Sequence, residues 1–275
     1  DMIAEEEMVL TITHNGYIKR TSLSTYRSQR RGGRGVQGAS SREEDFVEHL
    51  FVANTHSYIL FFTDKGKCYW VKVYDIPEGG RAAKGRAIVN LIGCEPDEKV
   101  SAFISVKEFN EDHYVVMATE KGMVKKTKLS AYSNPRKKGI YAVEIRDGDR
   151  LIEARVSTGD NDILLGTRNG KSIRFSEEQI RASGRKTMGV KGITLSSEDD
   201  RLVGMLLIKR EGTVLVATEK GFGKRTEISQ YRAQKRGGKG VLTMKTTEKV
   251  GKMVTIKEVV DKDDLMIITN QGVLI

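Results

Sequence analysis

A phrase of eight residues recurs six times along this chain, and a period of this length decides the whole fold before any single element is considered. Val9-Leu-Thr-Ile-Thr-His-Asn-Gly16 returns as Ile59-Leu-Phe-Phe-Thr-Asp-Lys-Gly66, Val115-Val-Met-Ala-Thr-Glu-Lys-Gly122, Ile163-Leu-Leu-Gly-Thr-Arg-Asn-Gly170, Val214-Leu-Val-Ala-Thr-Glu-Lys-Gly221 and Leu265-Met-Ile-Ile-Thr-Asn-Gln-Gly272. Successive glycines lie 48 to 56 residues apart, and each is preceded by threonine at the third position back: Thr13, Thr63, Thr119, Thr167, Thr218 and Thr269. A second set of glycines, Gly35, Gly85, Gly139, Gly189 and Gly240, follows 17 to 19 residues after the first and fixes the phase inside each unit.

Each unit opens on a β-branched or apolar run, turns at Asn-Gly, Lys-Gly or Gln-Gly, and resumes with an extended segment such as Tyr17-Ile-Lys-Arg20. Glycine supplies the positive φ that a tight turn needs, so this half of the unit reads as a hairpin. The later half, for example Val143-Glu-Ile-Arg146 and then Arg150 to Val156, reads as two more strands around a polar turn. The alternation from Val9 to Arg20 is closer to a period of two than of 3.6, which sets a helical repeat aside. Four strands in about fifty residues make a blade, and blades around an axis bury faces that none could bury alone. The residues predict an all-β propeller of five to six four-stranded blades. The acidic residues 1–8 read as a linker remnant and 9–275 as one domain, with repeats starting near 9, 59, 115, 163, 214 and 265. The sixth unit stops at Ile275, so its blade is expected to be incomplete.

Charge has a phase of its own. Lysine and arginine number 47 against 37 acidic residues, a formal net charge of +10, and a basic surface favours polyanionic partners. The surplus gathers just before the second glycine of each unit: Arg30, Arg31 and Arg34; Arg81 and Lys84; Arg136, Lys137 and Lys138; Arg185 and Lys186; Lys235, Arg236 and Lys239. A secondary set follows the first turn: Lys19 and Arg20, Lys125 and Lys126, Arg174, Lys224 and Arg225. Acids such as Glu43, Glu44, Asp45, Asp199 and Asp200 fall in other phases. One such cluster would be a solvated loop. Five in phase place the same loop on the same rim, and a curved basic rim suits the phosphates of bent double-stranded DNA, bound without regard to sequence.

The first corner reads Gln29-Arg30-Arg31-Gly32-Gly33-Arg34-Gly35. This heptapeptide resembles the signature box of the C-terminal domain of the DNA gyrase A protein, and the repeats resemble that domain along essentially the whole chain. The resemblance implies a six-bladed β-pinwheel whose adjacent blades exchange strands, the sixth being incomplete here, and which wraps DNA around its outer edge. It further implies partners in the rest of gyrase A and in gyrase B, as an A2B2 holoenzyme that introduces negative supercoils with ATP hydrolysed on gyrase B, in the bacterial cytoplasm at the nucleoid. The fifth unit carries Gln234-Lys-Arg-Gly-Gly-Lys-Gly240, the same pattern with lysine twice replacing arginine, which keeps charge and loses the bidentate fork. Two alternatives stand beside this reading: the corresponding domain of topoisomerase IV, which typically lacks an intact box, and a propeller scaffold that binds acidic proteins.

Other motifs carry less. Gly33-Arg-Gly35-Val-Gln-Gly38 satisfies a dinucleotide fingerprint, and Gly166-Thr-Arg-Asn-Gly170-Lys-Ser172 approaches a phosphate loop, but the first lacks a following helical pattern and the second is a copy of the hairpin turn. Tyr26, Tyr132 and Tyr231 share a register with Ile76 and Ile180, the mark of blade core rather than of a nucleophile. His14, His49, His56 and His113 have no metal-ligand spacing, and Cys68 and Cys94 make neither a disulfide framework nor a metal knuckle, which suits a reducing cytosol. Trp70 occupies the register of Arg20 and Lys126, and packing between blades is favoured over stacking near DNA. No apolar run approaches the ~18 residues of a membrane span. The chain alone is expected to hold no cofactor and to catalyse nothing.

Overall fold

The computed structural model describes residues 3–25, 36–37, 45–209, 211–259 and 273–274, and in it the threonine of each of the first five repeats closes its hairpin twice. The Gly16 N–H donates to the Thr13 carbonyl at 2.9 Å, and the Tyr17 N–H donates to Thr13 Oγ1 at 3.1 Å. The same two bonds form at Thr63, Thr119, Thr167 and Thr218. The turn glycine that follows has φ between 83° and 91° in all five copies. Opposite each threonine the neighbouring strand slips by one residue, and a bulge of this kind adds bend and right-handed twist. One Thr-x-x-Gly signature therefore sets turn, register and curvature together.

Five antiparallel sheets result. The first runs, from its innermost strand outward, through Val47–Asn54, Glu7–Thr13, Tyr17–Ser22 and Arg86–Ala87. The second is Val100–Val106, Tyr58–Thr63, Lys67–Lys72 and Ile140–Tyr141; the third Leu151–Ser157, Tyr114–Thr119, Met123–Lys128 and Val190–Lys191; the fourth Leu202–Ile208, Asp162–Thr167, Lys171–Ser176 and Val241–Leu242. The fifth has three strands, Met253–Val259, Thr213–Thr218 and Gly223–Glu227. In each four-stranded sheet the outermost strand belongs to the next repeat. A two-stranded pairing of Val36–Gln37 with Val273–Leu274 stands apart from these sheets. The described residues thus form a five-bladed propeller, not the six-bladed one expected; apart from Val273–Leu274, residues of the sixth repeat lie outside the described ones.

The core lies between blades. Met8, Leu10, Ile59, Phe61 and Ile76 form one cluster between the first and second blades, and Leu60, Phe62, Val115, Met117 and Tyr132 another between the second and third. Val116, Ala118, Ile163, Leu165 and Phe175, then Leu164, Val214, Val216 and Ile228, continue the series. Neighbouring residues of one strand, such as Phe61 and Phe62, thus face different clusters. These second strands are buried on both sides, which corrects the in-and-out alternation expected from the sequence; a strand covered on both faces reads as an apolar run. Innermost strands of the second to fifth blades surround a cavity of about 560 Å³ lined by residues such as Phe103, Arg155, Leu207 and Lys257.

The residues that open the first blade are also held. Glu7 opens the first blade's second strand, Met8 is fully buried, and the Glu6 N–H donates to Thr55 Oγ1. The first described strand therefore starts at Glu7. Acids tie the hairpins down elsewhere: Asp45 Oδ1 accepts the N–H groups of Asn15 and Phe46, Asp149 Oδ1 those of Lys121 and Arg150, and Asp200 Oδ1 those of Asn169 and Arg201.

Candidate nucleic-acid interface

The outer rim is built where one repeat hands a strand to the blade before it. Ile18 pairs with Arg86, Cys68 with Ile140, Val124 with Val190 and Ser172 with Val241, always antiparallel. The glycine just ahead of each donated strand sits in the left-handed region, at φ of +83° for Gly85, +70° for Gly139, +80° for Gly189 and +73° for Gly240. A side chain there would collide with the preceding repeat, because a Cβ on Gly189 would lie 2.2 Å from the Val124 carbonyl oxygen.

The basic clusters stand on the loops leading into these corners. Lys84, all of Arg136, Lys137 and Lys138, Lys186, and both Lys235 and Lys239 are exposed. Arg81, Arg185 and Arg236 are half-buried. Arg236 is committed to its neighbour, with Nε on the Gln179 carbonyl at 3.1 Å and Nη1 on the Lys191 carbonyl at 2.7 Å. In the same loop the Thr194 hydroxyl donates to the Gly237 carbonyl, so the box-like segment 234–240 latches the fifth repeat to the fourth. The box itself, Gln29, Arg30, Arg31, Gly32, Gly33, Arg34 and Gly35, lies outside the described residues, as does Tyr26.

The secondary set is largely internal, and here the structure corrects the sequence reading. Lys19, Lys125 and Lys126 are buried. Lys19 Nζ donates to the carbonyls of Gly80, Arg81 and Ala83 at 2.8–2.9 Å, and Lys125 Nζ to those of Ala142 and Arg185 at 2.6 Å. These ammonium groups fold the next repeat's basic loop from beneath. One residue on, Arg20 Nε donates to Ile76 O, Trp70 Nε1 to Tyr132 O, Lys126 Nζ to Glu177 O and Arg174 Nη1 to Tyr231 O. Trp70 therefore pins adjacent blades. Lys224 and Arg225 stand exposed on the third strand of the fifth blade, with Lys224 Nζ on the Thr243 carbonyl. Sequence reasoning missed Arg86 and Lys191, both exposed on donated strands; their signal was a basic residue one or two places after the second glycine.

Burial, then the positive charge of Arg185, pushes the Lys125 ammonium down from its ordinary 10.5 to about 7. Between those values the unfolded chain binds a proton that the folded chain does not, so folding stability gains as pH rises through this window. The urea midpoint of the wild-type chain should therefore rise, relative to that of Lys125→Met, from pH 7 to pH 10. A constant difference between the two would refute the buried-lysine account.

Tyr132 and Tyr231 are core residues, with hydroxyls on the Ala142 carbonyl and on Thr243 Oγ1. Cys68 is fully buried, and burial holds its thiol well above the ordinary range. Among the described residues no three His, Cys, Asp or Glu side chains gather as metal ligands, and no helix is long and apolar enough to cross a membrane.

The sequence pattern of the family described as the DNA gyrase C-terminal domain, beta-propeller, matches residues 7–54, 57–107, 113–158, 161–209 and 212–259, one match per blade. The chain belongs to the DNA gyrase C-terminal domain family. It is 51% identical over 275 residues to the DNA gyrase A protein of Clostridium acetobutylicum and 48% identical over 278 residues to that of Staphylococcus epidermidis, in each case along 100% of this chain. The chain spans only 33% and 31% of those two relatives. Among solved structures, a DNA gyrase A C-terminal domain superposes with a TM-score of 0.85 at 25% identity, covering 98% of this chain and 88% of that one. A topoisomerase IV C-terminal domain superposes with a TM-score of 0.74 at 28% identity, covering 94% and 80%. In this family member the five matched segments coincide with five sequence repeats, each supplying the three inner strands of one blade.

Proposed function

We propose that the chain binds duplex DNA without sequence preference and wraps it around the outer rim. The observation that carries this reading is the recurrence of exposed cations on the loop before the donated strand: Lys84, Arg136 to Lys138, Lys186, and Lys235 with Lys239. Repetition matters because bending 20–30 base pairs costs on the order of 1–6 kcal/mol, which many phosphate contacts together offset. The intact box and the gyrase A relatives favour gyrase over topoisomerase IV as the parent enzyme. In that setting the domain works with the rest of gyrase A and with gyrase B in an A2B2 assembly of the bacterial cytoplasm, at the nucleoid. It manages the DNA path, while strand cleavage and ATP hydrolysis occur elsewhere, and it needs no cofactor of its own.

We further propose that residues 9–275 form one propeller with a sixth blade position. The pairing of Leu274 with Val36 and of Val273 with Gln37 repeats the register of Ile18 with Arg86 and of Tyr17 with Ala87. That repetition supports the sixth repeat receiving its outer strand from the first.

Relaxed closed-circular DNA, incubated with the chain and a nicking-closing enzyme, should retain trapped supercoils; an unchanged topoisomer distribution at low salt overturns wrapping. Equal affinity for duplex DNA and for an acidic peptide of similar charge would favour the scaffold reading instead. For the box, Arg31→Ala with Arg34→Ala should abolish most trapped supercoils while lowering affinity only by roughly 10–100-fold at 0.1 M salt, the share of two phosphate contacts. Proportional losses would make the box an ordinary phosphate site.

A further inference from the structure

The donated strands carry apolar side chains on the rim itself. Tyr141 is 50% exposed, Val190 and Val241 are each 36% exposed, and Leu242 is 52% exposed. Each stands on the outermost strand of its sheet, in the second, third and fourth blades, one or two residues after the corner glycine. Single exposed apolar residues are ordinary, but three successive donated strands each present at least one, Tyr141 and Leu242 as the second residue after the corner glycine and Val190 and Val241 as the first. They also stand among cations: Arg136, Lys137 and Lys138 precede Tyr141 closely in the chain, the Lys186 ammonium lies 5.2 Å and the Lys67 ammonium 5.7 Å from its ring centroid, and Arg185 Nη1 is 3.4 Å from its carbonyl. A short apolar edge with positive charge on both flanks matches the minor groove, whose deoxyribose walls are apolar and whose two phosphate rows run along either side. Proteins that bend duplexes use apolar side chains in this groove.

We infer that Tyr141, Val190 and Leu242 enter the minor groove of wrapped duplex DNA where it faces the rim, with Lys67 and Lys186 on the flanking phosphates. This rests on the wrapping reading above. The apolar edge holds the bend, while the corner cations supply the sequence-independent attraction.

The test compares the wild-type 275-residue chain, the triple variant Tyr141→Ser, Val190→Ser, Leu242→Ser, and the apolar variant Tyr141→Phe, Leu242→Ile on relaxed plasmid with a nicking-closing enzyme. The salt dependence of duplex binding and the urea midpoint are measured beside it. The triple variant should trap fewer than about half of the wild-type supercoils, while the slope of log affinity against log salt, which counts phosphate contacts, stays within about one. The apolar variant should trap as many as wild type. Undiminished supercoils in the triple variant, a slope that falls along with them, or loss in the apolar variant would each overturn the inference. A lowered urea midpoint in the triple variant would also overturn it, since the positions are argued to be surface ones. If the wild-type chain traps none, wrapping itself fails, and that outcome is distinct from the others.

Discussion

Replacing five of the six exposed corner lysines, Lys84, Lys137, Lys138, Lys186 and Lys239, by alanine should lower duplex affinity at 0.1 M salt by roughly 10³–10⁴-fold and flatten the salt slope by about 4–5. The magnitude follows from counterion release, because each phosphate neutralised contributes about 0.9 to that slope. None of the five ammonium groups holds a loop together in the way that Lys19 and Lys125 do, and the ring contacts of Lys84 with Tyr17 and of Lys186 with Tyr141 are worth about 0.5–1 kcal/mol each at exposed sites, so the urea midpoint should move little. The matched variant Lys19→Met should behave in reverse: it removes three hydrogen bonds to loop carbonyls and lowers stability before it lowers affinity. Filter binding across a salt series, with urea melts on the same samples, separates the two. A stability loss beyond those ring contacts in the five-lysine variant, or an unchanged slope, would show that the rim is not the phosphate-binding surface.

The second large effect concerns the corner itself. Gly189→Ala combines a φ of +80° with a Cβ placed 2.2 Å from Val124 O and 2.9 Å from Lys125 Cβ. Backbone strain of ~1–3 kcal/mol and overpacking of similar size should together cost about 3–5 kcal/mol. The control is Gly184→Ala in the same loop, where an added Cβ meets nothing within 4 Å and the backbone is not left-handed; its effect should stay within about 0.5–1 kcal/mol. Urea titration of both variants decides the matter. Equal midpoints would mean that the donated strand can be displaced at little cost.

The hairpins and their phase were legible because Thr-x-x-Gly performs several local tasks at once: at Thr167 the carbonyl accepts from the Gly170 N–H and Oγ1 from the Lys171 N–H. The place of the basic corners was legible for the same reason, being a fixed distance from an anchored turn. Strand donation rested on resemblance alone, since two residues such as Val190 and Lys191 have no periodicity that could name their partner strand. The secondary cations misled because a lysine reads as surface, whereas carbonyls arriving from the next repeat solvate Lys19 and Lys125 inside the fold. Arg236 escaped for a related reason: its acceptors, Gln179 O and Lys191 O, lie on another blade.

A bent duplex pulls outward on whatever holds it, and strand donation decides where that load goes. Each corner loop is continuous with its own repeat and hydrogen-bonded to the sheet of the repeat before, so a pull at one corner is carried by two neighbouring blades. The buried cations Lys19 and Lys125 and the indole of Trp70 fasten the same joints. Under the wrapping proposed above, radial force on the described blades becomes shear along short antiparallel ladders instead of peeling one blade away.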